Sequence, residues 1–314
     1  MKVLSPTVRP GLGVVLIIGA ALCFATMDTT TRRLGAFLPV LLLLTARYAF
    51  QAVVMGVWLS ASRVHRLHSA HPRFQLLRGS LLLATSAVTF YGVQHMPVPE
   101  FTAITMLTPV LVTLLAAWLL KEEVSALRWL LVGGCFLGAL VVIRPGSGLF
   151  GWVVLFPLCG AVTYAAFQVL TSRLAALENP FTTHFWTGAV GTAILLPILA
   201  ASAIDVPATL AAAAPQDLLW VGVIGALGTG GHLLLILSLG MAPASKLMPF
   251  MYVQIGGAAL AGWLVFGELP DVWGWVGMAI VTACGATTAW LNLRSPAGKQ
   301  RRAGAPVAVD TVAD

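Results

Sequence analysis

Apolar runs close to the roughly 20 residues that a helix needs to cross a bilayer recur along this chain, each ended by a short polar connection. Ten can be drawn, over residues 12–31, 38–59, 76–94, 101–120, 127–143, 149–171, 181–201, 218–239, 247–266 and 272–291. The third and fifth have the shortest uncharged stretches. Apolar residues follow one another within the runs, without the alternation of a barrel strand. In hydrocarbon every backbone N–H and C=O must be paired inside the protein, so such runs become helices. The pattern predicts an all-α membrane protein of ten transmembrane helices, with brief connections that make neighbours antiparallel.

Composition points the same way. Hydrophobic residues make up 59% of the chain and charged residues 9%, where a soluble domain carries about a quarter charged. Cys23, Cys135, Cys159 and Cys284 lie inside apolar runs without metal-ligand or redox spacing, so they read as small buried hydrophobes, and no metal or cofactor is expected. The net charge of +7 is spread between runs rather than gathered on a basic domain, which argues against a nucleic-acid partner and for orientation in a lipid bilayer. Lys2, Arg9, Arg63, Arg66, Arg73, Arg78, Lys121, Arg128, Arg173, Lys246, Arg294, Lys299, Arg301 and Arg302 fall on one side of a ten-span arrangement. The other side receives only Arg32, Arg33 and Arg144. The positive-inside rule then places both termini in the cytoplasm of a cell inner membrane protein. Residues 1–10 are expected to be a cytoplasmic segment before a retained first helix rather than a cleaved signal, and residues 293–314 a disordered cytoplasmic tail.

The two halves resemble each other. A displacement of 146 positions, the interval from Glu122 to Glu268, also sets Pro97 and Glu100 over Pro243 and Lys246, and Trp129 over Trp275. A displacement of 140 sets Arg33-Leu34 over Arg173-Leu174. The domains read as five-helix repeats over 11–144 and 148–292. An odd number of spans per repeat inserts the second upside down relative to the first, and inverted repeats of this kind bind substrate near the midplane where the halves meet.

The five-plus-five plan, the segment from Phe101 to Pro109 followed by Lys121-Glu122-Glu123, and its counterpart ending Val265-Phe266-Gly267-Glu268 resemble the drug/metabolite transporter superfamily, specifically its EamA-type members. Only Gly267-Glu268 keeps the common Gly-Glu form; the first repeat has Lys121-Glu122 there. The resemblance implies alternating-access transport of a small-molecule solute such as an amino acid, S-adenosylmethionine, riboflavin or a toxic cation. It also implies a cavity lined by the first, third, fourth, sixth, eighth and ninth helices. On those helices Tyr91, Gln94, His95, Thr102, Thr105, Tyr164, Gln168, His232, Tyr252 and Gln254 are the candidate substrate-binding residues, against the alternative that such side chains only bridge helices.

A charge inside a lipid-embedded helix costs roughly 2.5 to 3.5 kcal/mol on insertion scales, so each one needs a reason. Arg47, well inside the second run, is either a counter-charge for a substrate carboxylate or phosphate, or a structural arginine paired within the protein. Asp28 and Glu100 are the ion-coupling candidates. Asp28 could relay a proton or pair with Arg32 one turn on, and Glu100 could do so or be held in a first helical turn by the helix dipole. Lys246 opposes the dipole of its own helix and is a substrate-binding candidate, or it snorkels to the cytosol. Glu122, Glu123 and Glu268 are expected at the membrane boundary, and His184 and Trp186 on a helix outside the cavity. Gly222, Gly225, Gly228 and Gly231 read as a packing stripe, and Gly133, Gly134 and Gly138 as a seam for helix packing or a homodimer contact.

The chain has no Walker A loop and no metal or haem motif, so the function read is secondary active transport of a small organic solute, with proton coupling open. An intramembrane enzyme acting on a lipid-soluble substrate would need clustered catalytic groups, whereas the ionisable residues here are scattered. A channel would conduct without saturating, and a scaffold would not conduct at all.

Overall fold

The computed structural model describes residues 10–61, 67–120, 126–146, 150–174, 177–241, 247 and 250–294. Lys246, Glu122, Glu123, the N-terminal segment and the tail lie outside the described residues. Among the described residues no strand forms. The helices are α1 (Pro10–Leu34), α2 (Val40–Ala61), α3 (Pro72–Gly92), α4 (Val98–Thr105), α5 (Thr108–Leu120), α6 (Ala126–Ile143), α7 (Leu155–Leu174), α8 (Pro180–Ala201), α9 (Val206–Ala212), α10 (Pro215–Met241), α11 (Val253–Phe266) and α12 (Val272–Arg294).

Local chemistry explains where they begin and end. Proline opens α3, α8 and α10, where its missing N–H costs nothing. The Asn179 side chain accepts a hydrogen bond from the Phe181 N–H at 2.9 Å, and Asp205 accepts from Ala208 at 3.0 Å, capping α8 and α9. Gly267 ends α11 with φ of 70°, a left-handed cap suited to glycine.

Three boundaries differ from the sequence reading. The fourth run is two helices, with a turn at Met106 and Leu107. Pro109 has no N–H, and a residue before proline disfavours the helical region. The Thr108 hydroxyl donates to the freed Thr105 carbonyl at 2.7 Å. Displaced by 146 positions, the same break falls at Tyr252, which immediately precedes α11. The third helix starts at Pro72, four residues early, which carries Arg78 from the edge of the run into the second turn. The short helix α9 was not foreseen.

Five of these helices, covering residues from Gly11–Leu34, Val40–Ala61, Gly151–Thr171, Pro180–Ala201 and Pro215–Met241, are long and apolar enough to span a membrane, and shorter apolar helices accompany them. Lipid as the surrounding solvent fits the surface. Leu130, Leu219 and Val272 are each more than 70% exposed, while Arg47, Gln51, Gln75 and Arg78 are buried, the reverse of a soluble protein. Thr29, Thr45, Thr85, Thr171 and Thr187 return their hydroxyls to carbonyls four residues back, which removes those donors from lipid.

Packing joins the halves. Helices of one half that pack on the other include α1 with α10, α3 with α7, α2 with α8, α6 with α12, and α4 with α11. If α1 and α7 are equivalent, and α3 and α10 likewise, each of these contacts either maps onto itself or exchanges with another, as a two-fold relation between repeats requires. Three of the glycines on α10 serve packing. A Cβ at Gly225 would meet the Phe50 ring at 2.6 Å, one at Gly228 would meet Arg47 Nε at 2.6 Å, and one at Gly231 would meet Phe24 at 2.8 Å. Gly134 and Gly138 pack on α12, against Cys284 and Val281, so that part of the seam is filled within the chain rather than left for a second copy.

Candidate functional site

A cavity of about 60 Å³ lies where α1, α2, α3, α4, α7, α10 and α11 converge, so both halves wall it. Its polar lining includes Asp28, Arg47, Ser86, Thr102, Thr105, Tyr164, His232 and Gln254, and its apolar lining includes Phe24, Met27, Phe90, Phe101 and Met106. The break between α4 and α5 belongs to this wall. An irregular backbone at membrane depth is tolerated where it lines a cavity.

Arg47 is fully buried. One terminal nitrogen donates to Ser86 Oγ at 3.2 Å, the other meets His232 Nδ1 at 3.3 Å, and Nε has no partner. Tyr48 holds it from behind, with its ring centroid 4.5 Å from the guanidinium carbon and its hydroxyl 2.9 Å from the same Ser86 Oγ. Bare glycine at position 228 lets the side chain cross α10. Among the described residues the ion pairs are Arg32 with Glu268 and Arg144 with Asp271, so Arg47 has no carboxylate at contact. Asp28 is 5% exposed and its Oδ1 has no hydrogen-bond partner. The Arg32 that could have paired with it turns instead to Glu268, through two bonds of 2.6 and 3.1 Å.

A second buried cluster lies beside the cavity. Arg78 donates from Nε to Thr171 Oγ1 at 2.8 Å, and from one terminal nitrogen to the Thr183 carbonyl at 3.1 Å and the Thr187 hydroxyl, and it stacks over Phe167. Gln51 donates to the His184 carbonyl at 2.9 Å. The sequence reading put Arg78 among the cytoplasmic loop charges; it is an interior residue satisfied by hydroxyls and a carbonyl. Trp186 donates from its indole to the Leu67 carbonyl at 2.9 Å, at the end of the bundle where Ser69 and the His71 N–H bond Glu178.

At the opposite end, Arg32–Glu268 ties α1 to α11 and Arg144–Asp271 ties the end of α6 to the start of α12. Glu100 is buried near these groups, outside the cavity wall, with Oε2 unpartnered. The remaining candidates lie elsewhere. Gln94 donates to the Thr31 carbonyl at 2.9 Å and packs on Gly35, Tyr91 and His95 are exposed, and Gln168 is buried one turn from Tyr164. Tyr252 packs on Gly285 of α12.

Phe24, Met27, Ser86, Thr89, Phe90 and Phe101 line the cavity without having been singled out from the sequence. A signal was present on α3. Arg78, Leu82, Thr85 and Thr89 recur at three- and four-residue steps and form one interior face, while Tyr91 is out of phase with it.

The comparisons fit this architecture. The chain is 26% identical to a riboflavin transporter of Brucella anthropi, with 84% of this chain and 94% of the relative aligned. It is 22% identical to an S-adenosylmethionine uptake transporter of Rickettsia prowazekii, over 78% of this chain and 81% of the relative. It is 27% identical to a pseudopaline exporter of Pseudomonas aeruginosa, over 87% and 94%. A crystal structure of 18% identity superposes with a TM-score of 0.65, covering 90% of this chain and 97% of its own, and shows a shared fold. Residues 11–144 and 151–287 each match the EamA-like transporter family, and with both halves so matched the chain, a multi-pass membrane protein, belongs to that family.

Proposed function

We propose that this protein is a secondary active transporter of the cell inner membrane that carries an amino acid, an amino-acid derivative or a related metabolite by alternating access. Ten transmembrane helices in inverted repeats over 11–144 and 148–292, with both termini cytoplasmic, form the carrier. The observation that carries the reading is Arg47, a fully buried cation with no carboxylate at contact among the described residues, facing a cavity walled by both halves. The other buried arginine, Arg78, is held by two hydroxyls and a carbonyl away from the cavity wall, whereas Arg47 lines the cavity and keeps Nε unpartnered, a donor open to a solute. That relatives are named for riboflavin, S-adenosylmethionine and pseudopaline supports a small organic solute. In alternating access the halves rock against each other to load and release the solute at this cavity. Coupling to protons is assigned to the buried carboxylates Asp28 and Glu100.

A thermal-shift screen of the detergent-purified protein against amino acids, S-adenosylmethionine, riboflavin and nucleosides tests the reading, because a bound ligand stabilises the native state by mass action. The expected result is a saturable shift, followed by saturable flux in proteoliposomes that depends on an imposed proton gradient. Arg47→Gln is expected to abolish flux of an anionic-headed solute at unchanged protein level. Unimpaired flux in that variant would overturn the role given to Arg47.

A further inference from the structure

We propose that Arg47 and Asp28 are the two poles of a site for a zwitterionic head group, with a substrate carboxylate on Arg47 and its ammonium on Asp28. The inference rests on the transporter reading above and narrows it to solutes that carry both charges close together, as an α-amino acid does.

Opposite charges sit in one small cavity, Arg47 fully buried and Asp28 95% buried, yet they do not meet: neither belongs to an ion pair among the described residues. Had the chain only to tolerate them, the cheapest arrangement would bring them together, because a buried charge is stabilised by a partner at contact. They are held apart instead. Ser86, His232 and the Tyr48 ring fix the guanidinium, and α1 carries Asp28 on a different wall. Each keeps an unused atom, Nε of Arg47 and Oδ1 of Asp28, and the Thr102 hydroxyl on a third wall is also unpartnered.

A ligand with only an anionic group would satisfy Arg47 and leave Asp28 buried and uncompensated; one with only a cationic group would do the reverse. A zwitterion completes both at once and brings no net charge into the membrane. Phe24, Met27, Phe90, Phe101 and Met106 then offer an apolar remainder for the side chain.

The test uses matched ligands on the intact, detergent-purified protein. L-Phenylalanine is compared with 3-phenylpropionate, which lacks the ammonium, and 2-phenylethylamine, which lacks the carboxylate; L-methionine is compared with 4-(methylthio)butanoate and 3-(methylthio)propylamine. At least one amino acid is expected to bind roughly tenfold or more tightly than both of its single-charge analogues, as loss of a buried charged hydrogen bond implies. In Asp28→Asn the amino acid should fall to the affinity of its deaminated analogue, and in Arg47→Gln to that of its decarboxylated one. Equal binding of amino acid and deaminated acid by the unaltered protein would overturn the proposal without relying on any variant, as would a preference that survives Asp28→Asn. Saturable flux of riboflavin with no binding of either amino acid would overturn this inference and leave the transporter reading intact. Absence of saturable flux for every solute, riboflavin and S-adenosylmethionine included, would overturn both.

Discussion

The site depends on glycines as much as on charges. Arg47 lies in place because Tyr48 is pinned beside it, and Tyr48 has room only because position 191 carries no Cβ; a methyl there would overlap the ring. Gly191→Ala is therefore expected to destabilise the protein by about 1–3 kcal/mol, the usual cost of overpacking, read as a lowered melting temperature in detergent. Gly228→Ala acts differently. Its Cβ would fall 2.6 Å from Arg47 Nε, which can move aside along a flexible side chain. We expect that variant to keep most of its stability and to raise the KM for transport, since the guanidinium is displaced from its place opposite Asp28. The contrast separates a glycine that keeps the fold from one that positions a functional group.

Among the elements, the broken helix α4–α5 invites the first change. Pro109 prevents a continuous rod where Thr102, Thr105 and Met106 face the cavity. Pro109→Ala restores a backbone donor and removes the restriction on Thr108. Its expected effect is unchanged or higher thermal stability with several-fold slower turnover, measured by melting and flux on the same preparation. The ties between halves can be tested separately. The Arg32–Glu268 pair is partly exposed, 19% and 45% for its two side chains, so Glu268→Gln should cost less than about 1 kcal/mol. Its larger role is geometric, joining α1 to α11. With the native cysteines replaced, a bis-maleimide bridge between Arg32→Cys and Glu268→Cys, spanning the length of the two lost side chains, is expected to block flux; flux that persists with the bridge formed would show that these ends need not separate.

At the scale of the whole molecule, two polar ends can be told apart, one holding Arg32, Arg144, Glu268 and Asp271, the other Ser69, His71 and Glu178. In a cysteine-free background, Leu269→Cys should react with an impermeant thiol reagent on intact cells, and Ala70→Cys only after permeabilisation; both positions are exposed. The reverse pattern would invert the topology drawn from the arginine and lysine distribution. That the chain is helical and crosses a bilayer several times was legible in the sequence because the constraint is local: apolar length and backbone hydrogen bonding act within one helix at a time. Pro109 marks the break inside the fourth run, which apolar length alone does not show. The site was legible only in part. Arg47, Asp28, Thr102, Thr105, Tyr164, His232 and Gln254 line the cavity, whereas Tyr91 and Gln94, alike in residue type, do not. Residue type alone does not say which face of a helix a side chain occupies, or which helix lies opposite. Those are decided by packing between distant segments, and packing kept Arg47 and Asp28 apart in one cavity, turned Arg32 to Glu268 and drew Arg78 into the interior. The sequence by itself determined a membrane-spanning helical chain of two related halves, because the bilayer imposes that on each run separately. Tertiary structure alone decided which charges meet and which stay unpaired in the interior, because that depends on contacts between segments far apart in the chain.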